Sequence, residues 1–168
     1  MAYQLITDTH FFHEKIKEYC GRPDNFEELI FNGLKEIPKD DVLVHLGDVC
    51  MGHDIEAHEL YIKPLACKKI LVKGNHDKKT NAWYMRQGWD EVYQQMKVTL
   101  TNGKQVLLSH MPSAELENIN YNIHGHFHNS PHREAAFKAI YSEKHRLFAI
   151  EYTNYQPVEL LSFLGLST

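Results

Sequence analysis

Five short apolar runs in this 168-residue chain each end in residue types that hold metal ions. Leu5-Ile6-Thr7 leads into Asp8-Thr9-His10, Val42–Leu46 into Gly47-Asp48, and Ile70–Lys73 into Gly74-Asn75-His76-Asp77. Val106–Ser109 leads into His110, and Tyr121–His124 into Gly125-His126-Phe127-His128. Carboxylate and imidazole donors without thiolate suit Mn²⁺, Fe or Zn²⁺, and more than four of them suggest two ions sharing one carboxylate rather than a single zinc. A paired centre of that kind serves hydrolysis.

Each run reads as a strand that delivers donors at its end. In an extended chain residues i and i+2 point the same way, so Asp8 with His10, and His126 with His128, are expected to aim two donors at one cavity. Gly47, Gly74 and Gly125 precede proposed ligands, where a residue without Cβ lets the backbone turn or approach an ion. Between the runs, Phe26, Leu29, Ile30, Leu34 and Ile37 have helical spacing, with Asn25 expected as the cap and Pro38 as the stop. Asp54 is expected to cap a second helix through Ile62 and Leu65 that Pro64 ends or kinks, and Ala82 to Gln87 a short third one before Gly88. Strand alternating with helix predicts a parallel sheet with right-handed crossovers in the first half. Asn102-Gly103 between Met96–Thr101 and Lys104–Ser109 predicts a hairpin and antiparallel strands in the second. A further strand is expected at Leu147 to Glu151, a helix within Glu134 to Ser142, and a terminal strand or helix at Val158 to Leu164. The result is a mixed α/β domain spanning residues 1–168 as one unit.

Composition narrows the function classes. A net charge of −4 argues against stable nucleic-acid binding, and no apolar stretch approaches the length of a membrane helix. The Met1-Ala2-Tyr3-Gln4 start leaves no room for a secretion signal, so a cytoplasmic protein is expected. Cys20, Cys50 and Cys67 form no Cys-x-x-Cys pair and read as reduced thiols. Lys68, Lys69, Lys73, Lys78 and Lys79 crowd the Gly-Asn-His-Asp segment and either draw in an anionic substrate or form a solvated surface.

The five motifs, in this order from Asp8 to His128, resemble those of the calcineurin-like metallophosphoesterase superfamily. The resemblance implies a four-layer sandwich of two mixed β-sheets flanked by helices. It implies that Asp8, His10, Asp48 and His128 hold one divalent ion and Asp48, Asn75, His110 and His126 the other. Mn²⁺ is the first expectation, with Fe, Zn²⁺ or Ni²⁺ as alternatives. In the family a hydroxide shared by the two ions attacks phosphorus in line. His76 becomes the candidate general acid, Asp77 the residue that orients it and raises its pKa, and Asn75 a contact to the substrate phosphate. A small phosphoester is the expected substrate, nucleotide-derived compounds among them, with a phosphodiester favoured. A phosphomonoesterase or nucleotide phosphatase is the rival within the class, and a non-catalytic protein-interaction scaffold of the same fold the rival outside it. Many relatives carry cap domains for which this chain has no room. Asp8-Thr9-His10-Phe11-Phe12-His13, followed by Cys20-Gly21-Arg22-Pro23, also resembles a subgroup of small bacterial and phage phosphoesterases in which Gly stands where this chain has Phe12. Arg22 and His13 are candidate substrate contacts, with surface or structural roles as the alternative.

Other residues have plainer readings. His45 and His124 are expected as packed core residues, and His53, His58, His132 and His145 as surface ones. Cys50 reads as a small buried residue, and Trp83, Tyr84, Met85 and Trp89 as packing rather than a base-stacking platform.

Overall fold

In the computed structural model, which describes residues 1–166, the apolar runs are strands whose side chains alternate between two cores. Strands β1 (Tyr3–Ile6), β2 (Val42–His45), β3 (Lys68–Val72) and β4 (Glu91–Tyr93) lie parallel, and β9 (Val158–Glu159) closes the other edge antiparallel. Their order is β4-β3-β2-β1-β9. Leu5, Val42, Val44, Ile70 and Val72 face one core, while Ile6, Leu43 and Leu71 face the other. The two-residue period of a strand buried on both faces produces this division.

The core on the Ile6 side is sealed by helices. Helix α1 (Ile16–Cys20) contributes Ile16 and Cys20, and α2 (Phe26–Lys35) contributes Phe26, Ile30 and Leu34 at four-residue spacing. Each such fully buried side chain contributes about 1.5–3 kcal/mol. Neither Asn25 nor Asp54 caps a helix through its side chain; His53 stands before α3 (Asp54–Ala57), which passes into a π-helical turn over His58–Ile62 ahead of Pro64. Helix α4 (Asn81–Arg86) is capped by Thr80, whose hydroxyl accepts the Trp83 N–H.

On the Leu5 side a second sheet packs through Val98, Val106, Leu108 and Ile123. Its order is β5 (Gln95–Thr99), β6 (Gln105–Ser109), β7 (Tyr121–His124), β8 (His145–Leu147). The hairpin at Asn102-Gly103 pairs β5 and β6 antiparallel, as the sequence predicts. The expectation of further antiparallel strands is corrected: β6, β7 and β8 run parallel. The connections after His110 and His126 cross over rather than turn back, so β6 and β7 both present their carboxyl ends to the site. Helix α5 (Pro131–Ala136) follows β7 and buries no residue of its own, and α6 (Leu160–Phe163) follows β9. The segment expected as a strand at Leu147 to Glu151 is instead the end of β8 and a 3₁₀ turn over Ile150–Tyr152.

Two sheets flanked by helices form the expected sandwich. Among the described residues no helix is long and apolar enough to cross a membrane. Cys20, Cys50 and Cys67 are buried free thiols, and burial raises the pKa of Cys50. His58 and His145 are not surface residues: both are buried, His145 bonded to the Ser113 carbonyl at 3.0 Å.

Candidate metal centre

The carboxyl ends of β1, β2, β3, β6 and β7 converge where the two sheets meet, the position open α/β sheets use for ligands. Asp8 follows β1. Its Oδ2 accepts from the Thr7 hydroxyl at 2.7 Å and the His126 backbone N–H at 2.9 Å. That leaves Oδ1 turned toward Nε2 of His10 at 3.8 Å and Nε2 of His128 at 3.6 Å. Asp48 repeats the device after β2. Its Oδ1 accepts the His76 N–H at 2.8 Å, and Oδ2 faces Nε2 of His10 at 3.7 Å, of His110 at 3.3 Å and of His76 at 3.9 Å.

Two trios of donors result, Asp8–His10–His128 and Asp48–His110–His126, each with its donor atoms within 4.8 Å of one another. The donors fit divalent ions. Asp8 Oδ1 and His10 Nε2 are buried without any hydrogen-bond partner, an arrangement that is costly unless a cation satisfies both. His110 has Nδ1 at 2.8 Å from the Leu46 carbonyl, which only accepts, so that nitrogen holds a proton and Nε2 looks into the site. Asn75 Oδ1 at 3.0 Å and His126 Nδ1 at 3.2 Å surround this Nε2.

Asp8, His10, Asp48, His126 and His128 all have left-handed backbones, with φ of 50°, 47°, 57°, 71° and 50°. Non-glycine residues held there store strain, which gathers at functional sites. The extended geometry expected for Asp8-x-His10 and His126-x-His128 is therefore corrected. Asp8 and His10 still meet in one trio, but His126 and His128 separate into different ones. Glycines allow the close packing. A Cβ on Gly74 would stand 2.2 Å from Asp48 Oδ1, and one on Gly125 would stand 2.3 Å from Asp8 Oδ2.

The electrostatics follow from burial and mutual attraction. Burial pushes Asp8 up, but His128 and His110 outweigh it and hold the carboxyl well below its ordinary range. Burial pushes His110 down, yet Asp8 and Asp48 raise it to about 9; His128 is raised to about 10 against the same opposing burial, by Asp8, Cys20 and Glu151. Burial and the His110 charge lower His126 to about 4.

The remaining sequence candidates take definite places. His76 lies at the mouth, its side chain 36% exposed. Asp77 does not reach the His76 ring through a hydrogen bond among the described residues. Its carboxylate accepts the N–H groups of Asp48 at 2.7 Å, Val49 at 3.2 Å and Gly74 at 2.8 Å, so it braces the Asp48 loop instead. His13 Nδ1 sits 3.3 Å from His10 Nδ1 and leans on a ligand candidate. Arg22 is not an exposed phosphate contact; its buried guanidinium donates to the carbonyls of Asp8 at 2.7 Å and Thr9 at 2.9 Å. Lys69 is buried and tied to the Leu65 and Cys67 carbonyls, which removes it from a basic patch, whereas Lys73 bonds the Lys79 carbonyl at 2.7 Å and keeps its charge near the site. His45 and His124 are buried and hydrogen-bonded, to Thr9 at 2.9 Å and Tyr141 at 3.1 Å. Sequence reasoning missed Glu151, which bonds Arg22 and His128 from outside every motif.

Known proteins resemble this chain in sequence and in fold. The family model of the calcineurin-like phosphoesterases matches residues 4–160. An uncharacterized protein of Methanocaldococcus jannaschii, MJ1445, is 31% identical over an alignment of 167 residues that covers 93% of this chain and 85% of that one. The crystal structure of AQ665, a protein of unknown function from Aquifex aeolicus, superposes with a TM-score of 0.75 at 26% identity, covering 98% of both chains. With the match running from β1 to the start of α6 and through all five motifs, the chain belongs to the calcineurin-like phosphoesterase family.

Proposed function

We propose that this chain hydrolyses phosphoesters, phosphodiesters in preference to monoesters, at a centre of two divalent ions that share Asp48. The observation that supports this reading is the position of Asp48 Oδ2, 3.7 Å from Nε2 of His10 in one trio and 3.3 Å from Nε2 of His110 in the other. Asp8, His10 and His128 would hold one ion, and Asn75, His110 and His126 the other. Bound there, divalent ions supply a water of lowered pKa and neutralise charge on the phosphoryl oxygens.

The chain's own residues do the rest. The His76 backbone N–H fixes Asp48, while its half-exposed ring stands at the mouth, where it can give a proton to the leaving oxygen. Asn75 is exposed beside His110 and can offer its amide to a phosphoryl oxygen. Asp77 and His13 hold the loops that carry Asp48 and His10. Retention of every ligand position and of His76 favours an enzyme over a scaffold of the same fold. Mn²⁺ is our first choice of ion, and a soluble cytoplasmic role fits the composition.

The test is hydrolysis of bis-p-nitrophenyl phosphate and p-nitrophenyl phosphate by metal-stripped protein before and after Mn²⁺ is added. Faster Mn²⁺-dependent turnover of the diester supports the reading. Preference for the monoester would make the chain a phosphatase, and silence on both with two ions bound would favour the scaffold.

A further inference from the structure

Glu151 lies in the 3₁₀ turn after β8, with its side chain only 4% exposed. Its Oε1 accepts from Nε of Arg22 at 3.0 Å and Nη2 at 2.7 Å, and stands 3.2 Å from Nδ1 of His128. Arg22 shows no side-chain surface and lies over the Phe26 ring at 5.2 Å. The same guanidinium holds the Asp8 and Thr9 carbonyls, the backbone on which Asp8 and His10 sit in their left-handed conformations. One cation thus joins the loop that carries Asp8 and His10 to the carboxylate on which His128 rests.

The hydrogen bonds also select a tautomer. Nη2 of Arg22 passes His128 Nδ1 at 3.4 Å, a long approach for a donor that has two acceptors at 2.7 Å. The Glu151 carboxylate only accepts, so Nδ1 carries the proton and Nε2, 3.6 Å from Asp8 Oδ1, is left for an ion. Cys20 lies within 4.8 Å of the same donors, but Glu151 Oε1 already accepts from the Arg22 guanidinium at 2.7 Å, and Nη2 of that group lies 3.4 Å from His128 Nδ1. Among the described residues the other trio has no such pair: His110 leans on a backbone carbonyl.

We propose that Arg22 and Glu151 form a positioning pair for the Asp8–His10–His128 half of the centre, fixing the orientation and tautomer of His128 and setting the affinity of that half alone. The inference rests on the two-ion reading. Titration of the full chain with Mn²⁺, followed by electron paramagnetic resonance and calorimetry, tests it. Glu151→Gln should weaken one of two ions by about 10–100-fold and leave the other unchanged. The charge-balanced double variant Arg22→Gln/Glu151→Gln should do the same. Two undiminished ions in either folded variant, or equal weakening of both, would overturn the proposal. Independently of any variant folding, ¹⁵N spectra of the Zn²⁺-loaded wild type should show His128 protonated at Nδ1; protonation at Nε2 would overturn it. A wild type that binds no ion would remove the two-ion reading and this inference with it, whereas a wild type with two ions and unaffected variants would remove this inference alone.

Discussion

The backbone N–H of His126 donates to Oδ2 of Asp8 at 2.9 Å, so a residue from the second sheet fixes a carboxylate from the first. Gly125 makes this approach feasible, since a Cβ there would lie 2.2 Å from the Thr7 hydroxyl and 2.3 Å from Asp8 Oδ2. Gly125→Ala should cost about 1–3 kcal/mol in urea unfolding and weaken binding of the Asp8-side ion. Unchanged stability and metal content would show that the contact between sheets yields without consequence.

His76 is the proposed acid. His76→Ala should keep both ions and lower turnover by about 10²–10⁴-fold for esters with poor leaving groups, and less for p-nitrophenolate, which needs no proton. Equal loss across leaving groups, measured as kcat with metal content checked by elemental analysis, would remove it from that role.

Phe12 stands at φ 63°, where the resembling subgroup has Gly. Its ring packs toward Tyr61, with ring centroids 6.0 Å apart. Truncation should cost packing, but a glycine also relieves the backbone. Phe12→Gly is therefore expected to be more stable than Phe12→Ala by about 1 kcal/mol, although a glycine is normally the weaker choice. Thermal melts of the two variants decide the sign.

Metal affinity should rise with pH. In the metal-free protein His110 and His128, raised to about 9 and about 10, hold an extra proton at neutral pH that an ion must displace. Each displaced proton weakens apparent affinity by up to about tenfold per unit of pH below those values. Without metal the sign for stability is opposite. The raised values stabilise the fold fully below the ordinary imidazole value of about 6.5, and the contribution is lost as pH rises through about 9 and about 10. Mn²⁺ titrations and metal-free melts across this range test both directions.

The fold was legible where pattern reports burial. Leu5, Val44 and Ile70 could be read as core strands because apolar runs bounded by donors leave few alternatives. The Asn102-Gly103 hairpin was legible because turn chemistry is local. The direction of β7 and β8 was not, because it depends on long connections without periodicity. The left-handed backbones of Asp8, His10, Asp48, His126 and His128 were also hidden, since residue type alone does not demand them. The resemblance pairs Asp77 with His76, whereas the fold buries its carboxylate against the N–H groups of Asp48 and Gly74 and so gives it to the Asp48 loop. Glu151 belongs to no motif and meets His128 only through the fold.

Asp48 Oδ2 faces both trios, His10 in one and His110 in the other. Calorimetric counting of Mn²⁺ on metal-stripped protein, wild type beside Asp48→Ala, tests that claim most directly. Two ions per wild-type chain, and the loss of tight binding of both in the variant, are the expected result. A single ion on the wild type, or two retained by Asp48→Ala, would contradict it.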